Sequence, residues 1–244
     1  YEALGLIVHS KNEIVIGEKP GLTRLIDADG DHWAEKRENI TDQFRFNGDY
    51  HEYLHGPIEL DGRYLFSLNL GNEVKGMYKA NGAWMGTVGG LRGWMLSADA
   101  QGNTERFASG FRSPAGLSLS PEKEIVYTEN QGEYVGTSKM FKVKKGKFYG
   151  NPTGLLDTPG LNVDSPETKW AAVKDRREQP ILLLPHNEVM NAPGSPEFLT
   201  SKINFGPFQG QMFLGDQVQS NIYRVDTEVI NKQEQAVAIP FMQG

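Results

Sequence analysis

Five acidic side chains lie close together near the start of the sequence, and their spacing is that of a calcium-binding loop. Counting Asp27 as position one places Asp29 at three, Asp31 at five, Glu35 at nine and Glu38 at twelve. Oxygen ligands at alternating positions, followed by a later glutamate, can wrap a hard cation such as calcium. The spacing therefore makes these five residues candidate metal ligands.

His32 departs from this pattern, because it occupies the sixth position, where a calcium loop needs glycine for its sharp turn. The sequence also predicts no pair of helices around the loop. Two interpretations stay open, a structural calcium site and a solvated acidic turn between strands. Calcium titration of the chelated protein, compared with Asp31→Ala, distinguishes them.

Two histidines in residues 48–57 are candidates for proton transfer. An imidazole titrates near neutral pH and makes a usable general base, which puts His51 and His55 in that role. Their spacing also suits a metal pair, but only on a helix, and Gly56 and Pro57 argue against a helix here. A third interpretation is a structural histidine that hydrogen-bonds a neighbouring loop.

The other chemical patterns are weaker. The sequence has no nucleophile elbow, phosphate loop or dinucleotide fingerprint. His186 follows an apolar run and is interpreted as a structural histidine in a loop. Paired carboxylates would suit glycoside hydrolysis, which stays a minor alternative. The loop carboxylates that fit this idea are Glu52, Glu129, Glu133 and Asp216.

Length and charge narrow the class of protein. A chain of 244 residues is expected to form one domain with a substantial core. Its net charge of −6 argues against a nucleic-acid partner, and it has no cysteine for a thiolate site. No apolar run approaches the roughly 20 residues of a membrane span. Because the chain starts at Tyr1 and stops soon after a strand, we expect a processed or truncated protein.

One pattern recurs along the chain and predicts the fold class. An apolar strand ending in a polar residue is followed by a loop and by a second strand with a basic or polar residue. Such repetition predicts an all-β fold built as a β-propeller, whose blades number about four to eight. The four copies occupy residues 14–25, 64–96, 125–143 and 211–225.

The sequence also predicts where the regular pattern is interrupted. Residues 71–91 are rich in Gly and Asn and are predicted to form an insertion. A second insertion is expected at residues 151–180, between the third and fourth sheets, with one short helix at residues 166–173. Loops of this length are often functional.

The longest of the informative stretches is residues 110–152, which begins GFRSPAGLSLSP and ends KVKKGKFYGNP. The phrases TRLIDADGD (23–31), NQGEYVGTSK (130–139) and GDQVQS (215–220) accompany it. Together they resemble the soluble quinoprotein glucose and sorbosone dehydrogenases, most closely the branch called putative membrane-bound dehydrogenases. The resemblance implies a six-bladed propeller, so residues 1–244 are expected to be one propeller domain or a fragment of one.

The resemblance also assigns a base. In that family a histidine just before a strand pair takes the proton of the substrate hydroxyl as hydride leaves for the quinone. The Asp61-Gly62 turn anchors the comparison and puts this histidine at His51, with His55 as second choice.

Cofactor contacts follow from the same resemblance. Arg112 matches the arginine that contacts the quinone, while Ser113 replaces the family's asparagine. Gln131 and Gly132 match the loop whose carbonyl groups hold the bridging calcium. The expected lysine near Asp216 and the acidic residues after the Gln-Gly loop have no counterpart.

Two functions therefore remain. The first is an oxidation of a sugar or related alcohol that depends on pyrroloquinoline quinone (PQQ) and calcium. It implies an electron acceptor of the cytochrome c type and a periplasmic or extracellular location. The second is a non-catalytic propeller that binds carbohydrate or a protein partner, which the missing cofactor contacts favour. For the first we expect His51, Arg112 and Gln131 to surround one pocket.

Overall fold

The computed structural model describes residues 2–72, 76–79, 83–162, 164–200 and 204–244. Within these residues the regular structure is almost entirely β-strand. The strands form four antiparallel sheets of four strands each, which is the blade unit of a β-propeller. The all-β prediction and its four visible blades are confirmed.

Each sheet is a meander whose strands follow one another along the chain. The first sheet contains β1 (Gly5–Ser10), β2 (Glu13–Glu18), β3 (Gly21–Ile26) and β4 (Lys36–Thr41). The second contains β5 (Leu54–Leu60), β6 (Arg63–Leu68), β7 (Trp94–Ala98) and β8 (Thr104–Ser109). The third contains β9 (Pro114–Leu119), β10 (Ile125–Glu129), β11 (Ser138–Val143) and β12 (Leu182–Leu184). The fourth contains β13 (Glu197–Phe198), β14 (Met212–Gly215), β15 (Ile222–Ile230) and β16 (Gln233–Met242).

The residue contacts divide the chain into two compact units. The first unit comprises Tyr1–Ser113 and Lys145–Arg177, and it contains the first and second sheets. The second unit comprises Pro114–Lys144 and Glu178–Gly244, and it contains the third and fourth sheets.

In the first unit the two sheets pack closely through glycine. A Cβ atom added to Gly17 of β2 would collide with the carbonyl oxygen of Gly56 in β5. Glycine is therefore needed for β2 and β5 to approach each other. Alternate strand residues fill the core around this contact. The core side chains are Val15, Leu22, Ile40, Leu54, Tyr64, Phe66, Leu68, Trp94, Leu96 and Ala98.

The second unit has its own apolar core. Side chains from β10, β11, β12, β14 and β15 contribute to it, so it contains residues of both sheets. This burial is the main source of stability expected for strands this short. The core side chains are Val126, Met140, Leu182, Leu184, Met190, Met212, Leu214, Tyr223 and Val225.

The second predicted insertion lies inside the third sheet, between β11 and β12, and not between the third and fourth sheets. The sequence misplaced it because the apolar run ending at Leu184 supplies the fourth strand of the sheet after the excursion. The predicted helix at 166–173 is a 3-10 turn at Pro166–Thr168 followed by α1 (Trp170–Val173). Among the described residues, no helix has the length and hydropathy needed to cross a bilayer.

The first predicted insertion, residues 71–91, lies partly outside the described residues, because positions 73–75 and 80–82 are not described. Two isolated antiparallel bridges organise the rest. They join Gly71 to Gly86 and Tyr78 to Thr87. The insertion returns the chain to β7, so it connects neighbouring strands of the second sheet.

Candidate functional site

His51 lies in the connection between β4 and β5, and its ring is partly exposed. The buried carboxylate of Asp49 accepts a hydrogen bond from the His51 backbone N–H at 2.8 Å. The same carboxylate oxygen is 3.9 Å from Nδ1 of the ring. A carboxylate on this side of an imidazole stabilises the cation that forms when the ring takes a proton. The arrangement suits a general base.

Arg92 supports this loop from within the first unit. Its side chain is fully buried, and it donates to the carbonyl oxygens of Arg45 at 2.8 Å, Glu52 at 3.0 Å and Tyr53 at 3.1 Å. Burial lowers the pKa of Arg92 to about 10, although the charges of Glu52 and Asp49 oppose the shift. The guanidinium therefore stays charged at neutral pH and fixes the loop backbone.

Lys19, in the turn between β2 and β3 of the first sheet, also contacts this loop. Its ammonium donates to the Tyr50 carbonyl at 2.8 Å and lies 4.4 Å from the centre of the Tyr53 ring. Burial, followed by a hydrogen bond with Tyr50, raises the pKa of Tyr53, so this phenol is neutral in solution. The first and second sheets thus both anchor the His51 loop.

A short segment after β6, residues 69–72, joins the His51 loop to its surroundings. The Asn72 backbone N–H donates to Oδ1 of Asp49 at 3.1 Å. The Asn69 backbone N–H donates to the Tyr53 carbonyl at 3.0 Å. Both ends of the segment therefore contact the loop that carries His51.

The same segment contacts the predicted cofactor residues Arg112 and Ser113. The Leu70 backbone N–H donates to the Arg112 carbonyl at 2.9 Å, and Nδ2 of Asn69 donates to Oγ of Ser113 at 3.3 Å. Oδ1 of Asn69 is buried without a hydrogen-bond partner among the described residues. Segment 69–72 therefore links the predicted base to two predicted cofactor contacts.

His55, the second choice for the base, lies on β5 in different surroundings. Its ring is 6.1 Å from the Tyr53 ring. Burial lowers the pKa of His55 to about 4, so the ring is neutral at pH 7 and accepts a proton poorly. The two histidines are therefore not equivalent, and His51 is the better placed base.

The structure brings together four of the five predicted metal ligands. One carboxylate oxygen from each of these four residues lies within 4.8 Å of the others. Burial opposes the charge of Asp27, but hydrogen bonds from the backbone N–H groups of Gly30 and His32 leave its pKa below the ordinary value. The grouped residues are Asp27, Asp29, Asp31 and Glu35.

Glu38 is the predicted ligand that lies outside this group. It is on β4, where its carboxylate is 3.4 Å from Arg24 and 3.9 Å from Lys36. The strand begins at Lys36, so position twelve of the loop pattern belongs to the sheet. Within the described residues the cluster therefore has four carboxylates, and calcium binding there stays a prediction.

Gln131 and Gly132 lie in the second unit, in the loop between β10 and β11. The Gln131 N–H donates to Oγ of Ser138 at 3.2 Å, and the Gly132 N–H donates to the Val135 carbonyl at 3.3 Å. Oδ1 of Asn130 is buried and has no hydrogen-bond partner in the described part of the chain. These bonds fix the loop, and the amide oxygen of Asn130 is left without a hydrogen bond from the described residues.

Lys139 places a buried positive charge at the base of this loop. Its ammonium is 3.3 Å from the Glu129 carboxylate and donates to the Asn130 carbonyl at 3.3 Å. Both side chains of the pair are almost fully buried. This pair was not predictable from the sequence, because its two members lie on different strands.

Three carboxylates considered for glycoside hydrolysis have structural partners. Glu52 accepts bonds from the backbone and side chain of Asn47, at 2.7 and 2.9 Å, and Glu129 pairs with Lys139. Burial disfavours the charge of Asp216, but several backbone N–H bonds, the first from Asn191, lower its pKa overall. These contacts give the three acids a supporting role.

Sequence reasoning assigned no role to Asp49, Asn69, Arg92 or Lys19. For Asp49 a signal existed, because it stands two positions before His51. The other three are brought to the site by strand pairing and by packing between sheets, which spacing along the sequence does not reveal.

No protein-family model matches the chain, and the search of curated proteins gave no match. Solved structures do show similarity. The holo PQQ domain of pyranose dehydrogenase from Coprinopsis cinerea aligns with 98% of this chain and 67% of its own, at 14% identity and a TM-score of 0.58.

Two further structures share the fold. A family AA12 carbohydrate-active enzyme of Trichoderma reesei aligns with 98% of this chain and 70% of its own, at 13% identity and a TM-score of 0.62. A luciferin-regenerating enzyme aligns with 99% of this chain and 64% of its own, at 13% identity and a TM-score of 0.51. At these identities the similarity establishes the fold, a β-propeller like that of quinoprotein dehydrogenases.

Proposed function

We propose that the chain oxidises a sugar or a related alcohol with bound PQQ, and that His51 is the general base. One observation carries the proposal. Segment 69–72 is hydrogen-bonded both to the Asp49–His51 loop and to the backbone carbonyl of Arg112 and the hydroxyl of Ser113. A proton acceptor and an anion-binding cation are thus tied to one structural element.

The base role follows from the surroundings of His51. A neutral imidazole takes the hydroxyl proton of the substrate, and the Asp49 carboxylate, 3.9 Å from Nδ1, stabilises the resulting imidazolium. Arg92 and Lys19 restrict the loop, so little reorganisation is needed. PQQ, when bound, supplies the acceptor for the hydride that leaves the substrate carbon.

The first unit offers suitable contacts for a quinone. Arg112 is partly exposed and would pair with a carboxylate of the cofactor. Ser113 stands where the resembling family has asparagine, but the Asn69 carboxamide lies beside its hydroxyl and has an unused buried oxygen. Asn69 would thereby supply the amide that position 113 lacks.

In the second unit, residues 130–132 would hold calcium. The unused Oδ1 of Asn130 is an oxygen donor of the type that calcium binds, and it lies next to the predicted carbonyl ligands Gln131 and Gly132. The same resemblance supports a periplasmic or extracellular site of action and an electron acceptor of the cytochrome c type.

A non-catalytic propeller that binds carbohydrate or a protein is the second candidate. The Lys139–Glu129 pair favours it, because an ammonium neutralised by a buried carboxylate adds little net charge for an anionic ligand. A quinone with three carboxylates needs several cations, and Arg112 is the one that the resemblance assigns to it.

Titration with PQQ and calcium tests the first candidate. Wild-type protein is expected to bind PQQ, Arg112→Met to bind it at least tenfold more weakly, and the control Arg106→Met to bind it as wild type does. Dye reduction over an aldose and alcohol panel then identifies the substrate. Absence of PQQ binding, or equal binding by Arg112→Met, would contradict the proposal and favour the second candidate.

A further inference from the structure

A groove on the first sheet, lined by none of the residues of the His51 loop, has the features of a second binding site. It is lined by the β1–β2 turn, the ends of β2 and β3, the acidic loop and the start of β4. Its volume is about 530 Å³, which is within the range of small-molecule sites. All lining residues belong to the first unit.

Trp33 dominates one wall of this groove. Its side chain is 76% exposed, which is unusual for so large an apolar ring. An indole combines a flat apolar face with a single hydrogen-bond donor, so it suits ligands that are apolar on one face and polar at their edges.

Hydrogen bonds fix the backbone on which the indole stands. The Trp33 N–H donates to Oδ1 of Asp31 at 2.8 Å, and the preceding His32 N–H donates to Oδ2 of Asp27 at 3.0 Å. His32 adopts a φ of 75°, a conformation that costs energy for any residue but glycine. The acidic loop therefore presents Trp33 on a constrained turn.

The formal charges of the side chains that line the groove balance, with Lys11 and Arg37 against Glu13 and Asp27. Glu13 pairs with Arg24 at 3.0 Å, and Arg37 pairs with the buried Glu18. Asn12 adds a carboxamide at the β1–β2 turn, and Ile14 and Leu25 form the apolar floor. Groups of this kind hydrogen-bond a neutral polyhydroxyl ligand without demanding a ligand of either charge.

We propose that this groove binds a neutral oligosaccharide, with one sugar ring stacked on Trp33. The apolar face of the ring covers the indole, and its hydroxyl groups bond to Asn12, Glu13 and Arg37. The inference does not depend on a quinone or on oxidation. A site of this kind would keep the protein on a carbohydrate surface whether or not it is an enzyme.

The test measures binding to the full chain without quinone. Neutral cello-, xylo-, malto- and chito-oligosaccharides are titrated, with saturation-transfer NMR and intrinsic fluorescence as readouts. At least one sugar is expected to bind the wild-type protein. The same sugar should bind Trp33→Ala at least tenfold more weakly and Trp33→Phe with intermediate affinity. Trp84→Ala is the matched control, because Trp84 is 68% exposed and lies outside the groove.

Three results would overturn the inference. They are equal affinity in Trp33→Ala and wild type, an equal loss in Trp84→Ala, and no binding of any neutral sugar by wild type. Circular dichroism confirms that the variants are folded, which is expected because both side chains are exposed.

Discussion

The carboxylate of Asp49 makes His51 different from a histidine that merely lies on a surface. It is buried, it contacts the histidine backbone, and it also accepts a bond from Asn72. A surface carboxylate would be screened by water, whereas a buried one acts at close range. At the scale of single residues, the proposal therefore concerns a pair.

Replacing Asp49 tests this pair directly. Asp49→Asn keeps a side-chain oxygen for the two backbone N–H groups but removes the charge. With PQQ bound, we expect turnover to fall on the order of 10²-fold, as for loss of a positioned proton-transfer group.

The binding of PQQ serves as the control for that variant. A purely structural role for Asp49 would weaken PQQ binding and lower the melting temperature, whereas loss of the pair alone lowers turnover and leaves both unchanged. Unchanged turnover would show that His51 acts without Asp49.

His55 makes a separate prediction about stability. Its pKa is about 4 in the folded protein and about 6.5 in an unfolded chain. Between these pH values the unfolded state binds a proton that the folded state does not, so stability falls as the pH is lowered through this window. The expected loss is about 3 kcal/mol between pH 7 and pH 4.

Urea unfolding of wild type and His55→Gln at pH 7, 6, 5 and 4 measures this effect. The variant should lose less stability across the window than wild type, whatever its stability at pH 7. Parallel curves for the two proteins would show that His55 has the same pKa in the folded and unfolded states and would contradict the assigned burial effect.

At the scale of elements, the acidic loop between β3 and β4 is the most specific prediction. Four carboxylates meet there, and Glu38 belongs to β4. If the loop binds calcium, the folded state gains about 2.7 kcal/mol at a calcium concentration a hundred times the Kd. We therefore expect calcium to raise the melting temperature of chelator-treated protein.

Two variants make the loop experiment selective. Asp27→Asn should abolish the calcium-dependent shift, whereas Glu38→Gln should retain it, because Glu38 is paired with Arg24. A shift that survives Asp27→Asn comes from another site, such as residues 130–132. A shift that is lost in Glu38→Gln would contradict the four-carboxylate cluster.

The inner strands of each sheet were predictable, because their apolar runs are bounded by turn residues. Residues 14–18 and 125–128 are examples, and the structure has them in β2 and β10. The outer strands β4 and β8 escaped prediction, since sequences such as KRENIT and TERFAS have little apolar alternation. Their positions come from pairing with the strands beside them.

The candidate site was predictable only in part, for the same reason. Type and position indicated His51 and the acidic loop. Asn69 and Arg92 had no local signal, because their contacts with Ser113 and the Tyr53 carbonyl join positions about forty residues apart. Spacing along the sequence does not encode such contacts, which arise from the packing of strands.

At the scale of the whole molecule, the four sheets and the similar structures establish a β-propeller. The alignments cover 67% and 70% of those two structures, so both structures extend beyond the region that they share with this chain. The proposed activity therefore rests on the groups that this chain itself supplies, above all His51.

The most direct test of the account is sugar-dependent dye reduction by PQQ-loaded wild type, His51→Gln and the control His9→Gln. We predict turnover by wild type and His9→Gln, and a loss on the order of 10²-fold or more in His51→Gln with PQQ binding unchanged. Wild-type turnover in His51→Gln, or no turnover by any PQQ-loaded form, would contradict the account.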